Sequence, residues 1–110
     1  MSYRDYKLKS NYKIIETVQE IIDVERLGVK DRTRSLANRR FYLMYYLRRH
    51  TVLTHTEIAG MFGKAVTNHA SILHGIRTHY NLMEYKDLEY IKNIQVIKDY
   101  LKEEFSSLTE

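Results

Sequence analysis

The stretch THTEIAGMFGKAVTNHASILHG, residues 54–75, decides the fold. Thr54 and Glu57 stand three residues apart ahead of an apolar run, which is the spacing of a capping box at the start of a helix. Gly63 then supplies a left-handed position at which that helix ends. A short turn leads to a second helix. Residues 54–80 are therefore predicted to form a helix-turn-helix.

The second helix of this motif opens on a small and uncharged first turn, Asn68-His69-Ala70-Ser71. A helix that enters the major groove of DNA needs short side chains where its N-terminus meets the base edges, and the backbone N–H groups there favour phosphate. The first turn, His74 and Arg77 are expected to face outward. Apolar spacing predicts a buried stripe made of Ile72, Leu73, Ile76 and Tyr80.

Three further segments carry apolar residues at spacings of three and four, and the chain contains no proline. They predict helices over residues 11–25, 35–50 and 86–105. Asn11 and Ser35 are the expected N-caps of the first two. The fold class is therefore predicted to be all-α, a five-helix bundle with a variant helix-turn-helix.

Residues 26–35 lack helical periodicity and are strongly cationic, which predicts an exposed basic loop. The 110 residues are expected to form one domain, in which residues 1–10 are flexible. No cysteine is present, which excludes disulfides and thiolate metal sites. No apolar run reaches the length of about 18 residues that a membrane span needs. We expect a cytoplasmic, nucleoid-associated protein with no membrane partner.

The positive charge is concentrated in one block. Residues 26–49 carry eight basic residues against a single acid, Asp31, whereas residues 81–110 carry a net charge of −3 and the whole chain +4. A localised basic block is typical of a surface that binds a polyanion. A solvated helix face is the alternative, but eight cations with one acid exceed what solubility requires. The acidic outer face of the last helix is expected to point away from the polyanion.

Neither a metal site nor a catalytic centre is expected. His69, His74 and His79 recur every five residues, so each is rotated by about 140° from the last on a helix and they cannot converge on one ion. No glycine-rich phosphate loop follows a strand, and no Ser-His-Asp order or pair of carboxylates is apparent. The sequence predicts no catalytic residue, no nucleotide or other cofactor, and no enzyme activity.

Tyr42, Tyr45 and Tyr46 lie among four arginines and allow two interpretations. Aromatic rings interleaved with arginine can stack on single-stranded bases. Alternatively, the rings pad the edge of a small core and keep their hydroxyls in water. The second interpretation is favoured because a helix distributes these rings around its circumference, so they form no flat platform.

Residues 24–80 resemble the C-terminal DNA-binding domain, domain IV, of the bacterial replication initiator DnaA. Residues 30–63, KDRTRSLANRRFYLMYYLRRHTVLTHTEIAGMFG, follow the family pattern without a gap, and residues 69–75, HASILHG, continue it. Five residues separate Gly63 from His69, two more than in the family. The resemblance implies an all-helical variant helix-turn-helix, related in shape to the Trp repressor, that binds double-stranded boxes at replication origins.

The resemblance and the basic block together predict the site residues. Arg32 is expected in a DNA minor groove. Phosphate contacts are expected from seven side chains: Lys30, Arg34, Arg39, Arg40, Arg48, His55 and Thr56. Base contacts in the major groove are expected from four residues that match the family's Asp-His-Thr-Thr: Asn68, His69, Ala70 and Ser71. Since Asn68 and Ala70 replace an aspartate and a threonine, the recognised box is expected to differ from the family's.

The expected function is sequence-specific binding of double-stranded DNA at origin-like boxes, by one monomer per site. No ATPase domain precedes the motif in this sequence, so binding is expected without ATP-driven assembly, and replication proteins are candidate partners. Two alternatives stay open. The chain could be a transcriptional regulator that binds promoters, or a protein-interaction module that kept the fold and lost DNA.

Overall fold

The computed structural model describes residues 12–66 and 68–104. These residues contain no β-strand, which confirms the all-α prediction. Three predictions lie outside the described residues: the flexibility of residues 1–10, the cap at Asn11 and the end of the last helix at Phe105. The described chain forms five α-helices and one 3₁₀ turn: α1 (Tyr12–Val24), α2 (Arg34–His50), α3 (His55–Met61), the 3₁₀ turn (Gly63–Ala65), α4 (His69–Glu84) and α5 (Leu88–Glu104).

α2 is the central helix of the bundle, and it packs mainly against α4 and α5. Its Leu43 and Leu47 are completely buried. α1 and α5 each turn one apolar face toward this centre, as their sequence spacing predicts. The buried residues that these two helices contribute are Ile14, Val18, Ile21 and Ile22 from α1 and Tyr90, Ile94, Ile97 and Leu101 from α5.

The end of α1 fixes the start of the basic loop. Arg26 adopts a left-handed conformation with φ 59°, and the Leu27 N–H donates to the Ile22 carbonyl at 2.8 Å. These are features of the Schellman motif, which closes a helix and usually adds an apolar contact just beyond it. Leu27 makes that contact, since it is completely buried. The loop therefore leaves α1 from an anchored position.

α3 begins and ends as predicted. The Glu57 N–H donates to Thr54 Oγ1 at 3.2 Å, and the Thr54 N–H donates to Glu57 Oε1 at 2.9 Å, which completes the capping box. Gly63 follows the helix with φ 58°, the left-handed conformation that glycine adopts without strain. Val66 is buried and ties the long turn between α3 and α4 to the core. The two extra residues of this turn thus do not prevent it from packing.

The predicted buried stripe of α4 is wrong in two of its four positions. Leu73 is 39% exposed and Tyr80 is 54% exposed, while Gly75 and His79 are buried beside Ile72. Gly75 explains the difference. A Cβ at this position would overlap Met44 Sδ and lie 3.1 Å from the Phe41 ring, so the absent side chain lets α4 approach α2 closely.

The tyrosines of α2 belong to the core. Tyr42 and Tyr46 are buried, and Tyr45 stacks on His79 with ring centroids 4.0 Å apart. The prediction that these rings pack against the core is correct, but the expectation that their hydroxyls lie in water fails at Tyr46. That hydroxyl is buried and has no hydrogen-bond partner among the described residues, and its burial raises the pKa of Tyr46 to about 12.

Candidate nucleic-acid interface

The N-terminus of α4 presents the small first turn to solvent. Asn68 is the N-cap, and its Oδ1 accepts a hydrogen bond from the Ser71 N–H at 3.1 Å. His69 and Ala70 are exposed, and Ser71 is half-buried. The helix end is therefore satisfied by its own cap, and its bare surface allows a close approach to another molecule.

The cap changes the role expected of Asn68. An asparagine that recognises adenine uses its amide oxygen and its amide nitrogen together. Here Oδ1 already accepts from the Ser71 backbone and lies 3.5 Å from the Ser71 hydroxyl. The cap therefore occupies part of the accepting capacity of Oδ1, an oxygen with two lone pairs, and leaves the NH₂ group to donate.

Three more exposed side chains continue this edge of α4 beyond the first turn. Leu73, His74 and Arg77 follow Ala70 at spacings of three and four, which places them along one side of the helix. His74 also lies edge-on to the Phe41 ring, with centroids 6.1 Å apart. None was predicted as a site residue, although the helical spacing from Ala70 would have identified them.

The basic loop holds Arg32 at its outer point. Asp31 Oδ1 accepts hydrogen bonds from the Thr33 N–H at 2.8 Å and from the Thr33 hydroxyl at 2.6 Å, and these bonds lower the pKa of Asp31. This is an Asx turn, in which a side chain completes the turn that the backbone makes. Arg32 lies between the two bonded residues with its side chain exposed. The turn, rather than a cap by Ser35, precedes α2, which begins at Arg34.

Arg40 is buried, in contrast to the exposed position that a phosphate contact needs. It is only 7% exposed, and burial lowers the pKa of its guanidinium. All three of its nitrogens donate to loop carbonyls: Nε to Leu27 at 2.7 Å, Nη1 to Asp31 at 2.7 Å and Nη2 to Val29 at 2.8 Å. A guanidinium used in this way supports the loop from inside, and its burial does not fit the phosphate contact expected of Arg40.

The other basic residues predicted to contact phosphate differ in their exposure and in their hydrogen bonds within the protein. Arg39 is partly buried, because its Nε donates to the Asn93 carbonyl at 2.9 Å and its Nη1 lies 3.5 Å from Glu25 Oε1. Arg48 is exposed but donates to the Leu53 carbonyl at 3.1 Å. Lys30 and Arg34 are exposed. Only the exposed cations can exchange their present neighbours for phosphate at little cost.

Arg34 also corrects the expectation about the last helix. Its Nε lies 3.5 Å from Glu89 Oε2, and both side chains are more than half exposed. At least one acid of α5 therefore faces the basic loop. Such an exposed pair contributes about 0–1 kcal/mol and can be exchanged for a phosphate contact.

The start of α3 carries the last two predicted contacts. Thr56 is exposed and His55 is half-buried, both in the first turn after the Thr54 cap. α3 packs directly against α4, so the two helices of the motif form one unit. The turn between them contains Gly63 and Lys64, both exposed.

The described part of the chain contains neither a cluster of metal ligands nor a membrane-spanning helix. Its histidines and carboxylates form no group of three that could hold a metal ion. None of its helices combines the length and the apolar character needed to cross a bilayer.

Comparison with known proteins identifies the motif. The family model of the bacterial dnaA protein helix-turn-helix matches residues 12–78, well over half of the chain. No curated protein and no solved structure matches the chain significantly. The match includes α1, the basic loop, α2, α3 and most of α4. The chain therefore belongs to the bacterial DnaA helix-turn-helix family, whose domain binds double-stranded DNA.

Proposed function

We propose that this chain binds specific double-stranded sequences, origin-like boxes, with the N-terminal edge of α4 in the major groove and Arg32 in the minor groove. The observation that carries the proposal is the exposed and uncharged first turn of α4. His69 and Ala70 face solvent there, and no bulky or charged side chain of that turn stands in front of them. An edge of this kind can come within hydrogen-bonding distance of base edges.

His69 and Ser71 donate or accept hydrogen bonds to bases in this arrangement, while Ala70 contributes a methyl group that suits the methyl of thymine. Asn68 supports them as the cap of the helix. Leu73 and Arg77 extend the same edge, so a longer stretch of groove is covered than the first turn alone would reach.

Phosphate contacts come from the exposed cations Lys30, Arg34 and Arg48, with the α3 start at Thr56 beside them. Arg39 and Arg40 are left out, because their guanidinium groups are engaged within the protein. Three or four phosphate contacts correspond to a slope of log K against log salt of about −3 to −4. We place one monomer on each site.

Selection of preferred duplexes from a random pool, followed by a salt titration on the winning duplex, tests the proposal. We expect one enriched box and a steep negative slope, and weaker binding to a scrambled duplex of equal length. A flat salt dependence with no enriched sequence would favour a protein partner instead of DNA.

The cellular role follows from where the box occurs. We expect the chain on the nucleoid at origin-like sites, alongside replication proteins. Mapping of the bound chromosomal sites tests this. Enrichment at promoters, without enrichment at an origin, would replace the replication role with a transcriptional one and leave the mode of DNA binding unchanged.

A further inference from the structure

Arg40 lies beneath the basic loop and donates hydrogen bonds to three of its backbone carbonyls, at alternate residues from Leu27 to Asp31. Its three guanidinium nitrogens donate to the carbonyls of Leu27, Val29 and Asp31 at 2.7–2.8 Å. The loop is otherwise exposed from Val29 to Thr33. Backbone carbonyls two residues apart do not converge on one point in an unrestrained loop, so the guanidinium sets the curvature of this segment.

The bonds of Arg40 meet those of the Asx turn at Asp31. The carbonyl of Asp31 accepts from Arg40, and its carboxylate accepts from the backbone and the hydroxyl of Thr33. The backbone on both sides of Arg32 is therefore fixed, while the Arg32 side chain itself is exposed. A side chain held on a fixed backbone loses less conformational entropy when it binds than one on a mobile loop.

We infer that Arg40 is a positioning residue for DNA binding: it shapes the basic loop so that Arg32 is presented to the minor groove, and it makes no contact with DNA itself. The inference rests on the proposed function, since it assumes that Arg32 contacts DNA. According to this inference, the contribution of Arg40 to DNA affinity depends on the presence of Arg32.

A double-mutant cycle tests this link. Dissociation constants for the selected duplex are measured for the wild type, Arg32→Ala, Arg40→Lys and the double variant. Lysine keeps the charge but cannot donate to three carbonyls in a fixed fork. We expect Arg32→Ala to weaken binding by about tenfold and Arg40→Lys by about three- to tenfold. In the Arg32→Ala background, Arg40→Lys should weaken binding by a clearly smaller factor than in the wild type, because the loop then has no Arg32 to present and only the phosphate contact of Lys30 is left to disturb.

A matched pair gives the additive reference. Arg48 lies at the exposed end of α2 and is expected to contact phosphate independently of the loop. The effects of Arg32→Ala and Arg48→Ala should therefore multiply in their double variant. If the fold-changes in dissociation constant of Arg32→Ala and Arg40→Lys also multiply, Arg40 acts independently of Arg32 and the inference is wrong. The proposed function would not be affected by that result.

The wild-type protein supplies a test that needs no mutation. The Arg40 Nε–H should be protected from solvent exchange in the free protein, and its NMR signal should keep its position when duplex is added. The Arg48 side chain should shift on binding. A shift of the Arg40 signal as large as that of Arg48 would show direct contact and contradict the positioning role.

Hydrogen exchange in the free protein separates failure of the inference from failure of the function. Arg40→Lys should speed exchange of the Thr33 amide, which the Asx turn protects, by about tenfold relative to the Glu57 amide of the α3 capping box. Unchanged exchange at Thr33 would refute the role of Arg40 in shaping the loop. If the wild type selects no duplex, the proposed function fails, while this measurement still decides whether Arg40 holds the loop.

Discussion

The start of α4 and its buried stretch toward the C-terminal end use the same residue type in opposite ways. His69 opens the helix and is exposed, whereas His79, ten residues later, is only 5% exposed. His79 Nδ1 lies 2.6 Å from the Tyr90 hydroxyl of α5, and the Tyr45 ring of α2 stacks on its imidazole. One end of the helix is available to a ligand, and the other joins three helices in the core. Substitutions at the two ends should therefore separate binding from stability.

The largest effect is expected at the buried end. His79→Ala removes a packed ring and leaves the buried Tyr90 hydroxyl without its partner, which should lower the free energy of unfolding by about 2–4 kcal/mol. Urea denaturation at pH 7.5 measures it. His69→Ala is the matched control and should change stability by less than about 0.5 kcal/mol, since it removes an exposed side chain. Equal losses in the two variants would erase the contrast between the ends.

Acid should reveal the same contrast without a mutation. Burial, with a smaller contribution from the Lys98 charge, lowers the pKa of His79 to about 4. In the unfolded chain a histidine titrates near pH 6.5, so between these values the unfolded state binds a proton that the folded state does not. Stability from His79 is thus complete above pH 6.5 and is lost as pH falls toward 4, by about 2–3 kcal/mol in total.

Urea midpoints at pH 7.5, 5.5 and 4.5 follow this loss. The His79→Gln variant serves as the control, because it lacks the titrating ring and should lose less stability over the same interval. A wild type and a variant that decline in parallel would assign the acid sensitivity to other groups.

At the exposed end, His69→Ala should affect recognition alone. It should remove about 1–3 kcal/mol of discrimination at one or two base pairs of the selected box while sparing affinity for random DNA. Binding to a set of single-base variants of the box measures this. A uniform loss over all duplexes, specific and random, would mean that His69 contacts the backbone instead of a base.

Asn68 tests how far a capping residue also takes part in recognition. Asn68→Ala should lower stability by about 1 kcal/mol, because the Ser71 N–H loses its acceptor. Asn68→Ser keeps a capping oxygen and should restore most of that stability. If Asn68 acts only as a cap, the serine variant also selects the same box as the wild type. A changed box would show that the free NH₂ group touches a base.

The smallest effect is expected at Tyr46, whose situation contrasts with that of Tyr90. Both hydroxyls belong to buried side chains, but among residues 12–66 and 68–104 only that of Tyr90 has a hydrogen-bond partner. Tyr46→Phe removes an unsatisfied polar group and should raise the unfolding free energy by up to about 1 kcal/mol. Thermal denaturation measures it. A loss of stability in place of the gain would indicate that this hydroxyl has a partner, such as a buried water molecule.

Local sequence signals predicted the helices and the two ends of α3 well, because those signals act over three or four residues, whereas the cap expected at Ser35 is wrong. The capping box of Thr54 and Glu57 and the left-handed Gly63 are examples. The first turn of α4 was also placed correctly, since its exposure follows from helical spacing. The family match extends over the same stretch of chain.

The parts that sequence could not supply depend on partners far along the chain. In the sequence, Arg40 is one of several arginines in the basic block and is therefore a candidate phosphate contact. Only the folded loop shows that its guanidinium donates to three backbone carbonyls. The burial of His79 could not be inferred from the sequence, because Tyr90, its partner, lies on another helix. The buried face of α4 was predicted incorrectly because the apolar pattern included Leu73 and left out Gly75. In the structure Gly75 faces α2, because only a residue without a side chain fits against Met44 and Phe41.

Gly75 carries a consequence for how the protein could evolve new preferences. Its missing methyl group sets the separation between the recognition helix and its support, as Met44 and Phe41 fill the space beneath it. An alanine there would overlap Met44 Sδ, so α4 would move outward unless the Met44 side chain rearranged. Such a shift would move together all the α4 side chains that we propose to face bases. One buried substitution could thus retune the proposed angle of insertion without changing any of the side chains proposed to contact DNA.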